Sequence, residues 1–315
     1  MSRPLRIEYP GACYHVSAHG NGGQAIFTCA EDGAQFLALF GREAAQQRWI
    51  CHGWCLMETH YQLLLETPEA NLGRGIGRLA MAYSQWFGRR HGRPGHLFGS
   101  RYRTILFEKG PWLAPLARHM VLSPVRAGLV RRPDQWHWSS HRGLLTGEAP
   151  SWFAADAFLA AFGPTPAAAR TGWRAYVADG ADAPAPWEHE RGNHYLGGPE
   201  FLRAVADRIR GRPLDQVSRN AAVPDRPTPE AVLAAVANAA QVPLALALDR
   251  KRAPEAWRAA VYLLRRACNL PLSRTAAMAG VSPARISQIQ RSIEDAGGLG
   301  RAFRWAIPLE ALTRV

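Results

Sequence analysis

Lysine is almost missing from this 315-residue chain: Lys109 and Lys251 are the only two, so nearly all of its 38 basic residues are arginine. A guanidinium forks onto phosphate and stacks on bases, where an ammonium offers a point charge. Genomic base composition produces the same bias, so it points to nucleic acid without establishing it. Cysteine is scarce and scattered. Cys13, Cys29, Cys51, Cys55 and Cys268 form an odd set of five, which excludes a disulfide framework and suits reduced thiols in a cytoplasm. No run approaches the ~18 apolar residues that span a bilayer, so no membrane partner is expected. The start, Met1-Ser2-Arg3-Pro4-Leu5-Arg6, lacks the apolar core of a secretion signal. The expected location is therefore cytoplasmic, in association with the nucleoid.

What is present is a globular composition, 47% hydrophobic, and a net charge of +13. Residues 1–150 carry +7, residues 151–225 carry −1, and residues 226–315 carry +7. Two basic ends around a neutral middle suit a protein that grips a polyanion at two places. A soluble basic enzyme without such a partner is the plainer alternative.

Cys13 to His19 alternates like a strand and ends in the turn signal Gly20-Asn21-Gly22-Gly23. Glu31 to Arg48 fits a helix, and Ile50 to Met57, apolar on both faces, fits a central strand. A short connection at Glu58-Thr59 leads into a second strand, His60 to Glu66, which makes an antiparallel hairpin. Asn71 can cap a helix running to about His91, with Leu72, Ile76, Leu79, Tyr83 and Phe87 along one stripe. Arg101 to Phe107 reads as a fourth strand. A helix from about Trp112 is expected to stop near Ser123, because Pro124 disfavours helical geometry at the residue before it. The order predicts an α+β domain over 1–150, an antiparallel sheet with helices resembling a ferredoxin fold.

Residues 151–225 read as a helical connector with aromatic anchors at Trp152, Phe153, Trp173 and Trp187 and no evident chemistry. Residues 226–315 read as all-helical. Pro254 to Cys268 is amphipathic, Ser273 to Ala279 is a short helix, Gly280-Val281 a turn, and Ser282 caps a helix to about Glu294. This is a helix-turn-helix pattern. Its second helix turns Arg285, Ser287, Gln288 and Arg291 outward, side chains suited to phosphates and base edges of duplex DNA.

The most informative segment is Met57-Glu58-Thr59-His60-Tyr61-Gln62-Leu63-Leu64-Leu65-Glu66. On a strand, His60 and Gln62 share one face, roughly 6.5 Å apart, while Tyr61, Leu63 and Leu65 point the other way. The first ~140 residues resemble the REP-associated tyrosine transposases, single-tyrosine members of the HUH endonuclease superfamily. The resemblance rests on Arg3-Pro4-Leu5-Arg6, Pro10-Gly11-Ala12, Tyr14-His15-Val16, Gly20-Asn21, Cys55-Leu56-Met57, His60-Tyr61, the run Phe87 to Gly99, Arg101-Tyr102 and Pro124 to Val130. The C-terminal part is similar, more loosely, to the DnaA-type helix-turn-helix through Ala260 to Arg266.

The resemblance implies an HUH nuclease fold, a His-hydrophobe-His clamp for a divalent metal (Mg or Mn), and a helical tyrosine that attacks the phosphorus. Here His60 matches the first metal ligand and Gln62 replaces the second. His119 stands at the nucleophile position, and Ser123 stands where asparagine is usual. Three of four positions depart together, which implies a DNA-binding protein whose cleavage site has degenerated, with no metal needed. The alternative is an active metal-dependent single-strand endonuclease using His119 or a displaced tyrosine. Tyr83 is better explained as core, and Tyr102 as packing or base stacking. A regulatory partner without DNA contact fits the two basic ends poorly.

The resemblance further implies that the N-terminal domain takes a DNA hairpin with adjacent single strand. The candidate contacts are Arg89, Arg90 and Arg93 after the second helix, Arg101 and Arg103 on the fourth strand, and Arg126. Monomer and homodimer both stay open. Cys51 and Cys55 read as packing, Trp136-His137-Trp138-Ser139-Ser140 as either a hydrophobic clasp or a stacking surface, and His15 and His19 as structural.

Overall fold

A computed structural model describes residues 7–99, 101–181, 183–186, 194–209 and 226–313. Trp187 and the segment Arg3 to Arg6 lie outside the described residues. The chain divides into two compact units, 1–217 and 218–315.

The first unit opens with β1 (Ala12–His19), α1 (Ala30–Gln47), β2 (Ile50–Met57), β3 (His60–Thr67), α2 (Leu72–His91) and β4 (Arg103–Phe107). It continues with α3 (Lys109–Val121), α4 (Ser123–Arg126), α5 (Ser140–Thr146), α6 (Ala155–Leu159), α7 (Pro166–Ala178), β5 (Tyr195–Leu196) and α8 (Pro199–Ile209). Five strands form one sheet in the order β2-β3-β1-β4-β5. All neighbours run antiparallel except β4 and β5, which are parallel. The expected mixed α+β architecture is therefore present, with every strand, helix and turn of the first 107 residues in the predicted order.

Local chemistry explains the boundaries. The Asp32 carboxylate accepts from the backbone N–H groups of Thr28 and Cys29 at 2.7 and 3.2 Å, tying down the start of α1. Asn71 does precede α2, but its side chain is spent elsewhere. It accepts from the Trp49 indole at 2.8 Å and donates to the Gln47 carbonyl at 2.9 Å. Glu8 takes over the capping, accepting from the Gly73 N–H at 2.9 Å. The helix expected from Trp112 starts earlier, at Lys109, and ends at Val121. Pro124 then sits in the first turn of α4 rather than ending a helix alone, since the N–H it lacks has no intrahelical partner there.

The stretch expected to be a connector packs into this unit instead. Trp173 is fully buried and donates its indole N–H to His141 Nδ1 at 3.0 Å. Phe153, Phe158 and Leu196 join the same core as the sheet. Two-residue β5 is too short for any sequence pattern to reveal, and it closes the β4 edge. The segment Trp136 to Ser140 runs along the outer edge of β2, where the Trp138 carbonyl accepts from the Leu56 N–H at 2.7 Å and Ser140 Oγ from the Trp54 N–H at 3.2 Å. It acts as a clasp on an otherwise open strand.

The second unit is helical: α9 (Pro229–Ala239), α10 (Pro254–Arg266), α11 (Leu272–Ala279) and α12 (Pro283–Asp295), with a short final helix and a 3₁₀ segment. Trp257, Val261, Leu263 and Leu264 of α10 are buried at its centre, as their spacing predicts. Gly280, at φ 65°, ends α11, and Ser282 Oγ accepts from the Arg285 N–H to start α12. No helix among the described residues is long and apolar enough to cross a membrane.

Gly75 of α2 faces the Trp49 ring so closely that an added Cβ would overlap it. Gly75→Ala is therefore expected to destabilise by roughly 1–3 kcal/mol from overpacking, outweighing a helix-propensity gain of up to about 1 kcal/mol. Urea unfolding of the purified chain checks this; an unchanged midpoint would refute the packing.

Candidate active site and nucleic-acid interface

Strand alternation puts His15, Ser17 and His19 of β1 on the same face as His60 and Gln62 of β3. The register pairs Ser17 with Gln62 and His19 with His60. On the other side of β1, Ser17 pairs with Arg103, and across the hairpin Cys55 pairs with Gln62. This face is covered by α3 and α4, which bring His119, Ser123 and Arg126.

Gln62 is the centre of the cluster and is buried. Its Oε1 lies 3.1 Å from His15 Nε2, and its Nε2 lies 3.4 Å from His60 Nε2 and 3.2 Å from Ser123 Oγ. The amide thus accepts from one imidazole while donating to the other and to the hydroxyl. His60 then carries its proton on Nδ1, which faces Thr59 Oγ1 at 3.4 Å. Its ring stacks on His19 with centroids 4.6 Å apart and planes 21° from parallel. Ser123 Oγ donates to the His119 carbonyl at 3.3 Å, one turn back. Arg126 donates to that same carbonyl and to Ser123 Oγ, the latter at 3.3 Å.

Burial is the main force on these rings. It pulls His60 down to about 4, with the neighbouring His19 adding to the effect. It pulls His119 to about 4, helped by the Arg126 charge. His15 falls to about 4 through burial, against which its bond to Gln62 pulls upward. All three imidazoles are neutral at pH 7, and Arg126, whose own pKa burial lowers, is hydrogen-bonded into the cluster.

The structure thus gathers His60, Gln62, His119, Ser123 and Arg126 and places Arg103 beside them. It adds His15 and His19, which the sequence reading left as structural. Their signal was present: polar residues at 15, 17 and 19 alternate with apolar Tyr14, Val16 and Ala18. The loop after α2 returns to this end of the sheet, where the Gly99 N–H donates to the His19 carbonyl at 3.2 Å and Phe98 bridges to Gly20. Of the arginines there, Arg89 and Arg93 are exposed, as is Arg101. Arg90 is bound to Glu31, lies 3.9 Å from Asp32 and sits over the Trp86 ring, so much of its charge is used within the fold. In the second unit, Arg285, Gln288 and Arg291 are exposed on one side of α12, with Arg285 donating to Gln288 at 3.1 Å.

As arranged, these donors do not suit a divalent cation. The Gln62 amide nitrogen, not its oxygen, is turned toward His60 and Ser123. Among the described residues no group of three or more His, Cys, Asp or Glu side chains could hold a metal. The candidate tyrosines lie away from the cluster, and Cys55, opposite Gln62, is held as a thiol by burial. Tyr83 is fully buried among aromatic rings and donates to the Ile26 carbonyl at 2.5 Å. Tyr61 is buried on the opposite face against Phe36. Cys51 is buried, and burial pushes its thiol up to about 12; the Cys55 thiol is raised for the same reason. The arrangement can hold neutral imidazoles and one guanidinium against a phosphate.

No protein-family model matches the sequence, and no curated protein does. Among solved structures, the chain is similar to a REP-associated tyrosine transposase bound to a REP hairpin, at 15% identity and a TM-score of 0.40. The match covers 49% of this chain and 92% of that one.

Because His15, His60 and His119 titrate near 4 when folded and near 6.5 when unfolded, the unfolded chain binds more protons below pH 6.5. Their contribution is complete above pH 6.5 and is lost as the pH falls through about 4. Thermal melts from pH 8 down should show the midpoint falling across that window, with a shallower fall in His15→Gln. A flat profile would contradict neutral burial of the cluster.

Proposed function

We propose that this chain is a DNA-binding protein derived from a REP-associated tyrosine transposase whose strand-cleavage site has degenerated. The observation that carries the reading is the Gln62 amide. It is hydrogen-bonded to His15, His60 and Ser123, at the very position where the family resemblance calls for a second metal-binding imidazole. The strand order β2-β3-β1-β4, with α1 and α2 as crossovers, supports the expected ferredoxin-like HUH arrangement. In this reading the first unit takes a hairpin with adjacent single strand, using Arg89, Arg93, Arg101, Arg103 and Arg126. The second unit's α11–α12 pair is a helix-turn-helix that grips duplex DNA through Arg285, Gln288 and Arg291. Location at the nucleoid follows from that binding.

The alternative keeps the enzyme active through His119 with a metal. The neutral, half-buried state of His119 suits nucleophilic attack on phosphorus in principle, which is the observation that keeps this reading.

The test offers a labelled hairpin oligonucleotide with Mg²⁺ or Mn²⁺ and looks for a covalent adduct on denaturing gels. No adduct is expected from the native chain. An adduct abolished by His119→Ala would overturn the degenerate reading. The triple variant Gln62→His, His119→Tyr, Ser123→Asn is expected to gain metal-dependent cleavage on this scaffold.

Duplex binding by the full chain should weaken steeply with added salt. Arg285→Ala and Arg291→Ala should each lose roughly 1–3 kcal/mol where they read a base, or flatten the salt slope by about one unit where they hold a phosphate. Unchanged affinity and slope in both would remove the helix-turn-helix from the account.

A further inference from the structure

Between the α3–α4 junction, α5 and α7 of the first unit lies a cavity of about 460 Å³ that shares no residue with the Gln62 cluster. Leu122, Val125, Leu145 and Val177 make its apolar walls. That volume falls within the range of small-ligand sites, roughly 300–1,000 Å³. His141 of α5 also lines it, although the residue is only 2% exposed. Its Nδ1 accepts the Trp173 indole N–H at 3.0 Å. Burial pulls the ring down to about 4, so at pH 7 it is neutral and carries its proton on Nε2. That N–H has no partner among the described residues, yet it is not sealed within the core. It therefore opens on the cavity that its ring lines. A donor left unmade costs the fold, and apolar walls give a water in that place few of the partners it needs.

Free positive charge sits at the same cavity. Arg131 and Arg174 line it, are exposed, and make no side-chain hydrogen bond or ion pair among the described residues. The Arg174 charge reaches the His141 ring and opposes its protonation, while Asp134 favours it. Among the described residues Asp134 is the one carboxylate of the lining, and Arg132 holds it through both oxygens at 3.1 and 3.2 Å. That pair compensates itself and leaves two guanidiniums over.

We propose that this cavity binds a small apolar carboxylic acid as its anion, with the apolar body between the four aliphatic walls and the carboxylate on His141 Nε2 and Arg174. Apolar walls with a few placed polar groups are the make-up of small-molecule sites. A polyanion is a poor fit, because its charges would lose their water against those walls. One buried N–H and one exposed guanidinium match the two oxygens of a single carboxylate, which only accepts. The site stands apart from the DNA-binding reading and does not depend on it.

Isothermal titration of the full chain compares phenylpropionate, naphthylacetate and octanoate with their primary amides, and with acetate and inorganic phosphate. At least one of the three acids should bind at millimolar concentration or below, its amide more weakly, and acetate and phosphate not measurably. His141→Asn keeps an acceptor for Trp173 and removes the Nε2–H. It should weaken the acid roughly 10- to 150-fold, the worth of one charge-assisted hydrogen bond. Arg174→Gln, at an exposed position, should weaken the acid about 2- to 5-fold and leave the amide unchanged. Silence of all three acids refutes the proposal, as does equal binding of acid and amide. Phosphate that displaces the acid would mark an adventitious anion site only and overturn it too. If His141→Asn melts as the native chain does and binds the acid as tightly, the cavity is not the site. If His141→Asn does not fold, Arg174→Gln decides: unchanged affinity for the acid overturns the proposal.

Discussion

A polar side chain buried in the middle of a sheet face must find partners for all of its hydrogen-bonding groups, or it costs the fold more than it contributes. Gln62 occupies that position here, and the surrounding structure follows from how it is satisfied. Its oxygen takes the His15 proton, and its nitrogen serves His60 and Ser123. An imidazole at the same place, with one donor and one acceptor when neutral, could not serve three partners at once. The amide thus fixes the tautomers of two histidines and anchors the α3–α4 junction through Ser123. A carboxamide at the centre of this network stabilises a neutral cluster, and it turns its nitrogen rather than its oxygen toward His60 and Ser123.

The break between α3 and α4 matters for the same reason. Were the helix continuous, the His119 carbonyl would bond forward along the backbone. It receives Ser123 Oγ and the Arg126 guanidinium instead. Arg126 is thereby folded back onto the cluster, its charge beside His119 and close enough to Cys55 to act on that thiol. An exposed guanidinium tied to a carbonyl and a hydroxyl keeps its charge, and donors to an anion such as a phosphate are what such a group offers.

Much of this was legible along the chain. The hairpin of β2 and β3, the stripe of α2 and the order of elements to β4 follow from periodicity and turn residues. So does the buried face of α10. His60 and Gln62 could be placed on one face because a strand alternates strictly. What could not be read was which strand lies beside β3. Local pattern does not carry that information, and it is the insertion of β1 between β3 and β4 that delivers His15 and His19 to the site. The same limit hid β5, two residues long, and the packing of residues 151–209 onto the sheet. There Trp173 was visible as an anchor, but its partner His141 lies in a different helix. Asn71 shows the converse: its position before α2 was right, yet tertiary partners claimed the side chain that local rules assign to the cap.

The clasp along β2 joins these observations. An edge strand needs its outer hydrogen bonds covered, and Trp138 and Ser140 supply the cover through a backbone carbonyl and a hydroxyl. Because the cover is made by backbone and small polar groups, the indole rings of Trp136 and Trp138 are not consumed by it. They are left to line a cavity next to the turn that carries His60. The polar cluster around Gln62 and the aromatic wall are under different physical demands: the first needs several groups in register within tenths of an ångström, the second only flat surfaces held apart. The geometry of the Gln62 cluster and that of the aromatic wall are therefore set by separate contacts, one through a side-chain amide and the other through a backbone carbonyl and a hydroxyl.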